Sequence, residues 1–371
     1  MRPRLGGLLL SACVIVPPAA IARTAPGEPA GGTDDPKVCS RVAFTEPRPL
    51  WVYSLAWSRD GAHLLVPDPM REEVFVFDRE GSLKRRLRIP VSGDLEVIRP
   101  GAIRSNGEGL FLQADLRVLN LDDGGEPIGA ADLGARVFPG HQQVRTLFDW
   151  SADGTWVYSF SDVLQAGGSW RSGWYRFTAA GESRLELLRE VPIESPEGRF
   201  YTVGHPHAVV EGLNAYLLVM DRVPFLLEVS RSGQRRLRAF PPGFGKRPVL
   251  PRVPGVDEDR LVFAAIERAT MPAGLHALDG RLYVLTRRPG EAGTVWEVTG
   301  IDPAADRVVS RVRLPTSAPH LVAAPGREHW ALVEKGTFES VGRQQVLGLL
   351  FVPAGWVAGT SGSATPPPGC E

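Results

Sequence analysis

Apolar runs of four to eight residues alternate with short stretches of Gly, Asp, Asn and Pro along most of the chain after residue 50. The first set is HLLVPD (63–68), EVFVFD (73–78) and, after a turn at Glu80-Gly81, LKRRLRI (83–89). Runs of this length between turn-forming residues predict β-strands joined by tight turns. Comparable sets recur as GLFLQAD with LRVLNLDD, TWVYSF with GWYRFTAAG, AYLLVMD with FLLEVSRSG, RLYVLT with TVWEVTGID, and HWALVEK with VLGLLFV. We therefore expect an all-β chain.

One glycine in each set marks the predicted turn between its first two strands. These glycines are Gly61, Gly107, Gly154, Gly212, Gly280 and Gly326, at successive spacings of 46, 47, 58, 68 and 46 residues. The two longer intervals contain LQAGGSWRSGW (164–174) and PPGFGKRPVLPRVPG (241–255), which we interpret as insertions. A period of about 40–50 residues with four strands in each unit is typical of propeller blades. The pattern predicts a six-bladed β-propeller of four-stranded antiparallel blades over residues 39–356.

The two ends of this domain are predicted to meet. The last unit, residues 320–352, has three clear strands, while CSRVAF (39–44) precedes the first complete unit. We expect this N-terminal strand to join the last blade and close the ring, which would leave no open sheet edge at the junction. Residues 256–269 keep a second interpretation open, in which an extra strand there makes the blade count seven.

The repeats resemble known propeller families. WSRDG (57–61) and WSADG (150–154), each followed by an apolar strand, resemble the S-P-D-G repeat of TolB-like propellers, with Arg59 and Ala152 in place of the proline. VFVFDREGSLKRRL and LHALDGRLYVL are similar to units of NHL-type six-bladed propellers. The resemblance spans about residues 40–352 and implies a fold rather than an activity. We interpret Asp153 as a turn residue, because Asp-Gly adopts tight hairpins at low energetic cost.

Composition narrows the classes of partner. The 371 residues contain 42 basic and 42 acidic side chains and no block of like charge. Binding to nucleic acid depends on neutralising phosphates, so a chain with zero net charge gives no indication of it. No apolar run approaches the ~20 residues that a transmembrane helix needs.

The N-terminus has the pattern of an export signal. Arg2 and Arg4 precede an apolar stretch at 5–16, and Ala20-Ile21-Ala22 offers an A-x-A cleavage site. We predict a signal peptide over 1–22 and a periplasmic or extracellular protein. In the alternative, LSAC (10–13) is a lipobox, so that Cys13 carries a lipid anchor and the protein is an outer-membrane lipoprotein. Residues 23–38 and 357–371 are predicted to be a flexible linker and a flexible tail.

Two cysteines remain near the ends of the mature chain. Export to an oxidising compartment allows Cys39 and Cys370 to form a disulfide, and the predicted ring closure brings them into the same region. Two unrelated free thiols are the alternative, since spacing alone does not establish a bond.

Polar residues before the turn glycines are the candidate site. His207, His276 and His320 stand five, four and six residues before their glycines, which predicts imidazoles converging on the channel. Such a cluster is typical of sites for zinc or another divalent metal. Hydrogen-bonded histidines in structural loops are the alternative. Tyr53, Arg99 and Arg145 hold the nearby polar positions in the other units, and His205 lies two residues before His207; these four are predicted to bind ligand. Salt bridges between blades are the alternative for the two arginines.

Two functions remain open. The first is an extracytoplasmic propeller that binds a small molecule or a partner protein at the channel mouth without catalysis. The second is a metal-dependent lyase or hydrolase with the histidines at its centre. The sequence contains no G-x-S-x-G, H-E-x-x-H or C-x-x-C motif that would favour another chemistry.

Overall fold

A computed structural model gives the architecture of much of the chain. It describes residues 39–43, 49, 51–88, 100–106, 109–114, 117–132, 142–144, 149–150, 156–164, 170–178, 185–190, 207–219, 223–240, 264–265, 268–340, 343–359 and 367. Their strands form antiparallel sheets in the arrangement of a β-propeller, as predicted.

The strands, numbered along the chain, fall into six sheets. Sheet 1 contains β2 (Ala56–Trp57), β3 (His63–Asp68), β4 (Glu73–Asp78) and β5 (Leu83–Arg88). Sheet 2 contains β6 (Pro100–Asn106), β7 (Gly109–Ala114), β8 (Arg117–Leu121) and β9 (Pro127–Asp132). Sheet 3 contains β10 (Gln142–Val144), β11 (Asp149–Trp150), β12 (Trp156–Leu164), β13 (Trp170–Thr178) and β14 (Leu185–Glu190).

The second half of the chain continues the series. Sheet 4 contains β15 (His207–Glu211), β16 (Asn214–Val219), β17 (Phe225–Ser230) and β18 (Gly233–Arg236). Sheet 5 contains β19 (Met271–Leu278), β20 (Arg281–Gly290), β21 (Gly293–Asp302) and β22 (Arg307–Arg313). Sheet 6 contains β23 (His320–Ala324), β24 (His329–Ser340), β25 (Arg343–Pro353) and, paired with β25, β1 (Ser40–Ala43). A short helix, α1 (Ala354–Val357), follows β25.

The structure differs from three expectations in detail. Sheet 3 has five strands rather than four, because its inner edge is built from two short strands, β10 and β11, that both pair with β12. The segment considered as an extra strand is helical at Ala264 and Ala265, and its residues 256–263 lie outside the described part of the chain. The tail boundary falls inside α1, where Val357 is fully buried.

The core lies between neighbouring sheets. In β24, Ala331 and Val333 pack toward sheet 1, whereas Trp330 and Leu332 pack toward sheet 5, because successive side chains of a strand point to opposite faces. Inner strands buried on both faces therefore appear in the sequence as continuous apolar runs. This packing explains why the strands were recognisable as runs rather than as an alternation of polar and apolar residues.

Three of the outermost strands are cationic. β5, β18 and β22 carry lysine or arginine but no acidic residue. Acidic side chains on the neighbouring strand, the third of each sheet, form ion pairs with them. Examples are Lys84 with Asp78 at 2.7 Å and Arg311 with Glu297 at 3.3 Å. These exposed pairs contribute little stability each, about 0–1 kcal/mol. Charged edges do disfavour pairing with the edge of another sheet, which keeps the propeller from aggregating.

Among the described residues, no helix has the length and apolar character that a membrane crossing requires.

Candidate functional site

The repeated WSRDG motif forms the hairpin between β2 and β3. The Asp60 carboxylate accepts hydrogen bonds from the Ser58 hydroxyl at 2.5 Å and from the Ala62 backbone N–H at 2.9 Å. The Ser58 contact is the largest cause that lowers the pKa of Asp60. Gly61 follows at φ +67°, a conformation that glycine adopts without strain. The aspartate of the motif is thus a structural turn residue here; its counterpart Asp153 lies outside the described residues.

These hairpin turns surround a cavity of about 930 Å³ at one end of the central channel. Five sheets contribute to its wall, with segments at Leu55–Gly61, Ile103–Ser105, Val209–Gly212, His276–Asp279 and Ala324–His329. Arg79 and Asp123 reach it from turns between the third and fourth strands of sheets 1 and 2. A cavity of this size is at the upper end of the range for small-molecule sites.

Polar contacts between turns connect neighbouring sheets around the cavity mouth. We call this set the turn ring. It consists of Arg59 N to Asp123 Oδ1 (3.2 Å), Arg79 Nη1 to Glu328 Oε2 (2.7 Å), Arg327 Nε to Asp279 Oδ1 (4.0 Å) and Gly280 N to Glu211 Oε1 (2.9 Å). Five carboxylates line the cavity. Four of them make the contacts of the turn ring, and the fifth, Asp60, makes the contacts within its own turn.

His276 lies deeper, within β19. Its side chain is 7% exposed and meets the ring of Trp330 edge-on, with centroids 5.7 Å apart. Burial, with a smaller effect from the positive charge of Arg104, lowers the pKa of His276 to about 3. The imidazole is therefore neutral at physiological pH and offers one donor and one acceptor.

The other predicted site residues lie elsewhere. Tyr53 and the other two predicted histidines that the structure describes, His207 and His320, do not line this cavity, whereas His329, which was not predicted, does. Tyr53 precedes β2, is 42% exposed and contacts Trp51, with ring centroids 5.3 Å apart; partial burial raises its pKa to about 12. Arg99, Arg145 and His205 lie outside the described residues.

The strand register separates the three histidines along their strands. His207 pairs with Leu218 and His320 pairs with Lys335, and each of these two histidines begins its strand. His276 pairs with Tyr283 and stands two residues closer to its hairpin. In the described part of the chain no group of three or more His, Cys, Asp or Glu side chains is placed to hold a metal ion. The zinc site stays a prediction.

The cavity residues that sequence reasoning missed have recognisable signals. Arg104 is the only charged residue of the inner strand PGAIRSN and directly follows the buried Ile103. Arginine is uncommon on strands that line the core. Arg79 and Asp123 sit in D-R-E-G and D-D-G-G turns after apolar strands. Because propeller turns on one face lie side by side, charged turn residues of neighbouring units were candidates for contact.

Comparison with known proteins supports the fold. No family model matches the sequence, and no curated protein matches it. A member of the DUF4221 family from Bacteroides vulgatus is similar in structure, with TM-score 0.50, 10% identity, and coverage of 85% of this chain and 98% of that one. A putative exported protein from Bacteroides fragilis has TM-score 0.49 at 10% identity over 86% and 96% of the two chains. A gluconolactonase from Xanthomonas campestris has TM-score 0.46 at 10% identity over 88% and 98%. At this identity the likeness concerns the β-propeller architecture alone.

Proposed function

We propose that this protein is an exported six-bladed β-propeller of the NHL/TolB-like type that binds a small ligand in its channel cavity without catalysing a reaction on it. The observation that carries the proposal is the cavity, which is walled by five sheets and bordered at its mouth by the turn ring. Ligand sites of propellers and of other β-folds lie in such concave openings.

The blade count and ring closure are supported by the strand pairing. The six sheets follow one another along the chain, and β1 supplies the outer strand of sheet 6 through its ladder with β25, from Ser40↔Phe351 to Ala43↔Gly348. Apolar side chains of sheets 6 and 1 pack in a common cluster. Export is supported by the basic, apolar and A-x-A segments over residues 1–22.

The contacts and protonation states of the ionisable groups in the cavity favour a binding role. Each lining carboxylate has a structural contact in a turn or between turns, and His276 is neutral with a pKa of about 3. Burial also lowers the pKa of His329, the second imidazole of the lining. A general base is a carboxylate or an imidazole that can accept a proton from the substrate, and it acts best when its pKa lies near the working pH. The described groups are suited to recognition and to holding the turns in place.

A ligand screen with a blocked cavity tests the proposal. Ser105 is exposed and lines the cavity, so Ser105→Trp fills the space without replacing a core residue. We expect at least one compound of a defined metabolite library to raise the melting temperature of the wild-type protein. Its affinity should fall about tenfold or more in Ser105→Trp. Ser232→Trp, the same change in an exposed turn away from the cavity, should bind like the wild type.

The fate of the ligand separates binding from catalysis. The bound compound should be recovered unchanged by mass spectrometry, with or without added zinc. Conversion that requires zinc and disappears in His207→Ala would establish the metal-dependent enzyme instead. If every binder is insensitive to Ser105→Trp, the cavity is not the ligand site and the proposal fails.

A further inference from the structure

Trp57 carries a buried hydrogen-bond donor in the wall of the cavity. The residue is 7% exposed and packs in the apolar cluster of sheets 6 and 1, with its ring centroid 5.8 Å from that of Phe351. Within the described part of the chain, its indole Nε1 is buried without a hydrogen-bond partner. Such a donor is costly to bury, and in a native protein it indicates a partner from outside the chain, such as a ligand or water.

The turn between β23 and β24, residues 325–328, covers this donor. All four of its residues line the cavity. A Cβ atom on Gly326 would come within 2.7 Å of Trp57 Nε1 and 2.8 Å of Trp57 Cδ1, which is too close for a real contact. Glycine at this position therefore allows the turn to lie directly on the N–H edge of the indole.

The 325–328 turn is held mainly by side chains. The hairpins of sheets 1, 4 and 5 contain hydrogen-bonded turns, whereas this one is a bend. Among the described contacts, no backbone N–H of the turn donates to another backbone group, although the Glu328 carbonyl accepts one hydrogen bond from α1. The other attachments are the exposed ion pairs of Arg79 with Glu328 and of Arg327 with Asp279. Exposed pairs contribute little stability each, so the turn can move at low cost.

We infer that Trp57 is a ligand-binding residue of the cavity, whose indole N–H donates a hydrogen bond to an oxygen of the ligand when the 325–328 turn moves aside. This inference rests on the proposed function and adds the donor and the part of the wall that opens. An indole N–H donates but does not accept. It therefore selects a ligand with an acceptor at this point, such as a carbonyl, ether or hydroxyl oxygen, over one that carries donors alone.

Hydrogen exchange of the indole N–H groups tests the opening of the turn. The protein is labelled with ¹⁵N-tryptophan, and Trp57→Phe and Trp356→Phe identify the two resonances by NMR. Trp356 is the matched reference, because its Nε1 is also buried without a partner in the described chain but does not line this cavity. We expect the Trp57 N–H to exchange at least about tenfold faster than the Trp356 N–H. Glu328→Gln should accelerate Trp57 exchange a further two- to fivefold, roughly the worth of an exposed ion pair. Glu190→Gln, which breaks a comparable exposed pair with Arg171, should leave it unchanged.

A small acceptor tests the hydrogen bond itself. N,N-dimethylacetamide offers a carbonyl oxygen and no N–H donor, whereas tetramethylammonium is of similar size and offers no acceptor. We expect dimethylacetamide, titrated through the millimolar range, to move the Trp57 indole proton resonance downfield in a saturable way, because a hydrogen bond deshields the donor proton. The Trp356 resonance should stay in place, and tetramethylammonium should move neither. Ser105→Trp, which fills the cavity, should abolish the effect on Trp57.

The outcomes separate this inference from the proposed function. Trp57 exchange that is no faster than Trp356 exchange would show that the turn does not open over the indole, and would overturn the inference. A Trp57 resonance that dimethylacetamide leaves unchanged, or moves only together with that of Trp356, would also overturn it. Both results leave the cavity as a binding site that uses other groups. The proposed function itself fails only if every binder is insensitive to Ser105→Trp.

Discussion

Arg41 and Glu334 form a two-point ion pair between residues 293 positions apart in the chain. Arg41 Nε lies 3.1 Å from Glu334 Oε2, and Arg41 Nη2 lies 3.0 Å from Glu334 Oε1. The Thr316 hydroxyl also donates to Oε1 at 2.5 Å. Arg41 is on β1 and Glu334 on β24, so the contact fastens the N-terminal strand to the last sheet across β25.

Removing this contact should weaken the attachment of β1. The Glu334 side chain is buried, and Arg41→Ala leaves its charge with the Thr316 hydroxyl alone. We expect the free energy of unfolding to fall by about 1–3 kcal/mol in urea titrations. Arg88→Ala removes an exposed arginine whose partner, Glu73, also pairs with Arg86, and it should change stability by less than about 0.5 kcal/mol. If both variants are equally stable, the hydrogen bonds between β1 and β25 are sufficient to keep β1 in the sheet.

The predicted disulfide gives a second test of the same closure. Cys39, directly before β1, is buried at 3% exposure, and Cys370 lies outside the described residues. A bond between them would close a loop of almost the entire chain, worth roughly 5 kcal/mol as an upper figure. Reductant should lower the melting temperature of the wild type, and Cys370→Ser should melt at that lower value without reductant. Identical melting with and without reductant would reject the bond.

The WSRDG turn should behave as a structural element. Asp60→Ala removes the acceptor for Ser58 and for the Ala62 N–H, and we expect a loss of about 1–2 kcal/mol in the free energy of unfolding. Arg59→Ala is the matched control, because Arg59 contacts Asp123 through its backbone N–H, which the substitution keeps. A stability loss that is as large in Arg59→Ala would contradict the assignment of the turn to Asp60.

The repeat could be predicted from the sequence because each strand and each turn requires particular residues within a few positions of one another. Inner strands buried on both faces required apolar runs such as HLLVPD, and the hairpins required glycine at positive φ, as at Gly61, Gly212 and Gly280. The pairing of β1 with β25 was foreseeable from a missing strand in the last unit. Each of these features depends on residues close together in sequence or on a simple count.

The cavity was less predictable because it depends on register. Counting back from the glycines placed the three histidines at five, four and six residues and so hid the common position of His207 and His320. The glycine is the first residue of the β15–β16 turn but the second residue of the β19–β20 and β23–β24 turns. The turn ring joins side chains from different units, such as Arg79 and Glu328, 249 positions apart. Such contacts leave no periodic signal in a single sequence.

His276 should make the protein sensitive to acid. Its pKa is about 3 in the folded protein and near 6.5 in the unfolded chain, so between these values the unfolded state binds more protons and stability falls as pH decreases. At pH 4 this amounts to about 3 kcal/mol relative to pH 7. His276→Gln cannot titrate, so its free energy of unfolding should lose about that much less over the same interval. Parallel curves for the two proteins would show that the imidazole is solvated or paired.

Lys335 is buried on the same face of sheet 6 as its pairing partner His320, and its Nζ donates to the Val52 carbonyl of sheet 1 at 3.0 Å. Arg287 has the corresponding place in sheet 5, where its Nε donates to the Pro319 carbonyl of sheet 6 at 3.0 Å. Each cation lies on the second strand of its sheet. It donates to a backbone carbonyl just before the inner strand of the next sheet.

Burial lowers the pKa of Lys335 to about 8, below the 10.5 of an ordinary lysine. Between pH 8 and 10.5 the folded amine is neutral while the unfolded one still holds its proton, so the free energy of unfolding should rise with pH. We expect a gain of about 2–3 kcal/mol from pH 7.5 to 10 in the wild type that Lys335→Met lacks, measured by urea unfolding at each pH. Lys84→Met, which removes an exposed lysine, should keep the gain. If the free energy of unfolding rises with pH by the same amount in Lys335→Met and in the wild type, the Lys335 amine is hydrated in the folded protein and is not a buried charge.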